Sequence, residues 1–107
     1  MTEERKEATQ EMIDAWKEKL GDIYSTVLAD GTRYIYRPMK RVEYKAIIAN
    51  PDASRAYMEE QIVLKCIVHP VLTPTDLSAE KAGTVSTLTD LVMSASNFGV
   101  NEEPVKL

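Results

Sequence analysis

Apolar residues recur with helical spacing in four stretches of the chain and alternate in one. The strongest of the four is Ala53 to Pro70, A-S-R-A-Y-M-E-E-Q-I-V-L-K-C-I-V-H-P. Met58, Ile62 and Cys66 repeat every four residues, with Val63 and Ile67 beside them. That is the stripe of a helix burying one wide face. From Ile62 to Val68 the only polar residue is Lys65, so this helix is expected in the middle of the domain. Pro70 is expected to close it, because proline restricts the residue before it and lacks an N–H.

The other elements arrange themselves around that helix. Thr2 to Leu20 reads as an amphipathic helix capped by Thr2, with Glu3, Glu4 and Glu7 near its start. Met12, Trp16 and Leu20 are its stripe, with Ile13 alongside, and Gly21 ends it. Residues 1–8 carry almost no apolar side chain and are expected to fray. Ile23 to Tyr36 reads as a β-hairpin turning on Asp30-Gly31, a pair suited to a two-residue turn with positive φ. Tyr34 and Tyr36 share one face of it, Arg33 and Ile35 the other. A lone hairpin is marginal in water, so it must pack on helices or pair with a second chain through its edges.

Arg37-Pro38 ends the second strand. Met39 to Ala49 then reads as a short helix with Val42, Ala46 and Ala49 in one row. Beyond the central helix, P-V-L-T-P is an extended connector. The last helix starts near Thr75 or Ser78 and runs to about Ser96, with Val85, Leu88, Leu91, Val92 and Ala95 as its stripe. Gly83 falls inside it at a cost of about 1 kcal/mol relative to alanine, which a close approach of another element would explain. Residues 100–107 form a polar tail expected to be mobile. The fold class is α+β: a mainly helical single domain, residues 1–107, with one β-hairpin, in the order α-β-β-α-α-α.

Composition narrows the function more than the fold. A chain of 107 residues with 44% apolar content is one domain with a modest core. A net charge of −4 argues against general nucleic-acid binding. One cysteine permits no internal disulfide, and a reducing compartment is the simpler expectation. The charged N-terminal segment lacks the apolar region of a secretory signal, and no run approaches the roughly 20 residues that span a bilayer. A cytoplasmic location follows as an expectation, the host's cytoplasm if a phage encodes the chain.

No catalytic constellation is visible, and no enzyme activity, cofactor or metal is expected. His69, the only histidine, is a base or ligand in one reading and a residue placed at a helix C-terminus in the plainer one. Cys66 lies on the apolar face and reads as structural, since reactive thiols need exposure and a lowered pKa. Glu59 and Glu60 are adjacent on a helix, about 100° apart, and do not converge. One basic cluster stands out: Arg33, Arg37, Lys40, Arg41 and Lys45, interleaved with Tyr34, Tyr36 and Tyr44. Such a pattern can hold single-stranded nucleic acid by phosphate contact and stacking. The acidic chain as a whole favours a protein surface instead, paired with an acidic segment of this chain or of a partner. These eight residues are the candidate partner-binding site.

Four segments in order carry a resemblance. They are Y-I-Y-R-P, then K-R-V-E-Y-K-A, then E-E-Q-I-V-L-K-C-I-V-H-P, and D-L-S-A-E-K-A-G-T-V-S-T-L-T-D-L-V-M-S-A-S-N-F-G. Together, from Tyr34 to Gly99 and over about two-thirds of the chain, they resemble small tail assembly chaperones of tailed bacteriophages. The resemblance implies a non-enzymatic protein that binds the long helical tape-measure protein and keeps it soluble while the tail tube assembles. Five methionines suit an adaptable apolar surface of that kind, although Met39, Met58 and Met93 also read as core residues. The alternatives are a tail or baseplate structural component and a small inhibitor of a host protein.

Overall fold

The computed structural model describes residues 7–107. Thr2, Glu3 and Glu4, expected to open the first helix, lie outside the described residues. The elements run α1 (Gln10–Leu20), β1 (Tyr24–Val27), β2 (Arg33–Tyr36), α2 (Arg41–Ile48), α3 (Arg55–Cys66), β3 (Ile67–His69), α4 (Pro74–Ala79) and α5 (Ala82–Ala95). The class is α+β, as expected, with two more elements than the sequence pattern predicts.

The central helix is where predicted, but it is shorter. Ser54 caps α3, its hydroxyl accepting from the Tyr57 amide at 3.1 Å. Ile62, Val63 and Cys66 form its fully buried stripe. It stops at Cys66, four residues before Pro70. Ile67 and Val68 are β-branched and favour extended backbone. They form β3, which pairs antiparallel with β2 (Ile35 opposite His69, Tyr36 opposite Ile67, with a bulge between). The His69–Pro70 peptide bond is cis.

β3 changes what the hairpin is. The sheet order is β1-β2-β3, all antiparallel, so β2 is the central strand and cannot be an edge for subunit pairing. Only β1 of the expected hairpin remains an edge. The turn also differs from the expected two-residue form. The Leu28 and Thr32 backbones pair at 3.0 Å, and the Gly31 amide bonds the Leu28 carbonyl at 2.9 Å. The loop is three residues, with only Gly31 at positive φ (89°), a turn followed by a glycine bulge.

β2 is buried on both sides. Tyr34 and Tyr36 enter the main core with Met39, Ile47, α3 and the stripe of α5, Leu88 and Val92. Ile35, on the other face and equally buried, is not part of that cluster. On that second face, Trp16 of α1 lies with its ring centroid 5.7 Å from that of His69, the residue opposite Ile35. α1 itself buries nothing completely. It is shorter than expected: Thr9 is its N-cap, accepting from the Met12 amide at 3.2 Å, and Gly21 (φ 85°) ends it.

The expected last helix is two helices. Thr73, Pro74 and Asp76 form a capping box, with the Thr73 amide donating to Asp76 and the Asp76 amide to Thr73. Leu77 anchors the short α4 in the core, and Glu80 and Lys81 turn extended before α5 begins. Gly83 thus lies in the first turn of α5. A Cβ there would meet nothing within 4 Å, so close packing within the chain does not explain it. In α2 the buried position is Ile47, with Glu43 and Tyr44 half-buried. The expected row of Val42, Ala46 and Ala49 faces solvent instead, with Val42 70% exposed.

Candidate partner-binding groove

The eight candidate residues do not form one surface. Tyr34 and Tyr36 are core residues, and Tyr36 stacks on Tyr24 with ring centroids 5.5 Å apart. They cannot stack on a ligand. Arg33 lies on the second sheet face, where its Nε donates to Ser25 Oγ at 2.8 Å. Alternation along the strand separates it from the tyrosines.

Arg37 is a clasp inside the fold. Its guanidinium makes a two-bond pair with Glu43, at 3.0 and 2.7 Å, and also reaches the Pro38 and Lys65 carbonyls. Its amide donates to the Cys66 carbonyl at 3.0 Å. Glu43 in turn accepts from the Lys40 amide at 2.9 Å, capping α2. One ion pair therefore joins the end of β2, the start of α2 and the end of α3. The guanidinium beside it holds the Glu43 carboxyl at about 2, well below the usual carboxylate range. Arg37, expected on the binding surface, is tied into the structure by its hydrogen bonds instead.

Lys40, Arg41 and Tyr44 do come together, while Lys45, one helical turn beyond Arg41, does not line the same groove. Positions 41 and 44, and 40 and 44, are three or four apart and share one side of the helix start. The Arg41 guanidinium lies 5.5 Å from the centre of the Tyr44 ring. The Tyr44 ring meets Phe98, centroids 5.1 Å apart and tilted. Met39, Lys40, Arg41, Tyr44, Ser96, Asn97 and Phe98 line a groove of about 210 Å³.

The far wall of this groove comes from the cap of α5. Asn97 adopts a left-handed conformation (φ 70°). The Phe98 amide bonds the Met93 carbonyl at 3.0 Å and the Asn97 amide the Ser94 carbonyl at 3.2 Å, the paired bonds of a Schellman cap. Ser96 Oγ accepts from the Met39 amide at 2.7 Å and donates to the Val92 carbonyl at 2.6 Å. These bonds tie α5 to the approach of α2 and set Phe98 against Tyr44. Phe98 is the site residue that reasoning on the basic cluster missed. The signal for it was Ser96-Asn97-Phe98 after an apolar helix: asparagine at the left-handed position, followed by an apolar residue.

The other tested candidates have plain structural roles. Cys66 is fully buried, and burial pushes its thiol up to about 11. Glu59 accepts from Ser86 Oγ at 2.9 Å and from Arg55, binding α3 to α5. Among the described residues no group of three or more His, Cys, Asp or Glu side chains is placed to hold a metal ion, and no helix is long and apolar enough to cross a membrane. Comparison with protein-family models, curated proteins and solved structures gave no match.

Proposed function

We propose that this chain is a non-enzymatic protein-binding module, a bacteriophage tail assembly chaperone that keeps a long helical tape-measure protein soluble in the host cytoplasm during tail assembly. The observation that carries the binding role is the groove between α2 and the cap of α5. It offers a guanidinium over an aromatic ring, a second aromatic wall, and the ammonium group of Lys40. Exposed Val42, Ile48 and Phe98 add apolar area nearby. Charged and aromatic groups together suit a partner helix with one acidic and one apolar edge, since buried aromatic and arginine anchors dominate protein interfaces. The assignment to tail assembly rests on the resemblance of Tyr34 to Gly99.

A second reading is supported by the free edge of β1. A tail or baseplate structural component would pair that strand with a neighbour in a permanent assembly. One experiment separates the two. The tagged chain is expressed with its neighbouring genes, and the co-purified proteins are identified by mass spectrometry. Recovery of one long helical protein that is insoluble without this chain supports the chaperone. Recovery of several tail proteins, with the chain abundant in purified particles, supports the structural component and overturns the chaperone. Capture of a host enzyme would make the chain an inhibitor.

A further inference from the structure

The outer side of β1 is an unpaired strand edge that matches itself. The Leu28 amide bonds the Thr32 carbonyl at 3.0 Å, and in the same register Thr26 faces Tyr34 and Tyr24 faces Tyr36. Alternation along an antiparallel ladder turns the N–H and C=O groups of Tyr24, Thr26 and Leu28 toward β2, and those of Ile23, Ser25 and Val27 outward. Among the described residues, no strand pairs with that outer side. Edges of this kind are usually blunted by lysine, proline, a bulge or a covering helix. Here Ile23 to Ala29 carries no charge and no proline. α1 reaches the second sheet face at His69 of β3, the opposite edge of the sheet. Ser25 and Val27, on that same face, are exposed, Val27 by 61%.

We propose that β1 pairs antiparallel with β1 of a second copy of this chain, with Ser25 opposite Ser25 on the two-fold axis. The strand's own order selects a second copy. Ile23-Tyr24-Ser25-Thr26-Val27 is close to a palindrome, with β-branched aliphatic residues at its ends, the strand formers Tyr24 and Thr26 inside, and a small residue at the centre. About Ser25 the axis sets Ile23 against Val27 and Tyr24 against Thr26 of the other copy. Aliphatic then meets aliphatic and aromatic meets β-branched, both favourable cross-strand pairs of a self-complementary interface. The outward backbone groups of Ile23, Ser25 and Val27 find their partners in the same three residues of the other copy. Charge fixes the axis. A shift to Thr26 would carry Asp22 toward Asp30 of the other copy, whereas about Ser25 it meets Leu28 and the two acids stand apart. The closed pair uses both β1 edges. It is independent of the chaperone reading, and it leaves no β1 edge for the neighbour that a structural component would need.

The test is analytical ultracentrifugation of the full chain from about 10 µM to about 1 mM, a range that reaches weak specific association, with amide hydrogen exchange measured at both ends of it. The expected result is a monomer–dimer equilibrium, with slower exchange of the Ser25 and Val27 amides at the higher concentration. In a monomer those two amides face water and exchange at one rate whatever the concentration. Val27→Lys should weaken the dimer roughly tenfold, since it alters two cross-strand pairs at once. The far-UV CD should not change, because the side chain is exposed. Val42→Lys, on the exposed side of α2, should leave the dimer intact. A monomer throughout the range, a dimer in which Ser25 and Val27 exchange as in the monomer, a mass that grows beyond the dimer, or a dimer undiminished by Val27→Lys would each overturn the proposal.

Discussion

The two faces of the three-stranded sheet are built to different depths. On one face, Tyr34 and Tyr36 of β2 join a core closed by α2, α3, α4 and α5. On the other, Ile35 is just as buried, and α1, which reaches this face through Trp16 at His69, has no fully enclosed residue. Alternate residues of one strand thus serve a cooperative core and a thin cover. Burial at a strand position says little about how firmly the layer above it is held. That firmness depends on how many elements share the burial.

The largest expected effects lie in the thick layer. Ile62→Asp places a charge without a partner beside Val63, Cys66 and Leu88, and should unfold the domain, seen as loss of the far-UV CD signal at 25 °C. Leu88→Ala, at a position with no exposure, should cost about 2–5 kcal/mol in urea denaturation. A loss under about 1 kcal/mol at Leu88 would mean the layer is loosely packed.

The clasp joining β2 to α2 and α3 comes next. Glu43 has a folded pKa near 2, below its ordinary value of 4.5. Its stabilisation is therefore complete above pH 4.5 and is lost as the pH falls toward 2. Glu43→Gln should lower stability by about 1–2 kcal/mol at pH 7, a range set below the full shift because the pair is partly solvated. The difference from the natural chain should shrink as the pH falls through 2 and vanish below it. Comparison of urea midpoints at pH 7 and pH 3 measures it. An equal difference at both values would show that Glu43 acts through packing and not charge.

The thin layer should respond least. Trp16→Ala removes the ring contact with His69 and should cost about 1 kcal/mol. Hydrogen exchange should then quicken in α1 while α3 and α5 keep their protection. Equal loss of protection in all three would make α1 an integral part of the core, and the contrast between the two faces would fail.

What the sequence made legible follows the same division. Period-four spacing located the buried stripe of α3 because Ile62, Val63 and Cys66 pack on several neighbours at once. It could not locate β3, because Ile67 and Val68 extend the apolar run with no change of composition. Strand and helix are indistinguishable in so short a run, and pairing with β2 decided the outcome. The Thr73–Asp76 capping box was readable and would have split the last helix. In the candidate site, Lys40, Arg41 and Tyr44 of the basic cluster line one groove. Charge counting could not see that strand alternation turns Arg33 away, or that Glu43, six residues on, binds Arg37. Phe98 reached the site through tertiary packing, more than fifty residues from Tyr44.

The groove between α2 and the cap of α5 is proposed to dock a helical partner. The most direct test is the affinity of the co-purified partner for the natural chain and for a Lys40→Glu, Arg41→Glu double variant. Both side chains are exposed, and Arg37 is left in place. The expected result is an affinity at least tenfold weaker with thermal stability unchanged, the loss growing at low salt, because reversed charges now repel an acidic edge. An unchanged affinity, with the variant folded as before, would contradict the claim and move the docking surface elsewhere.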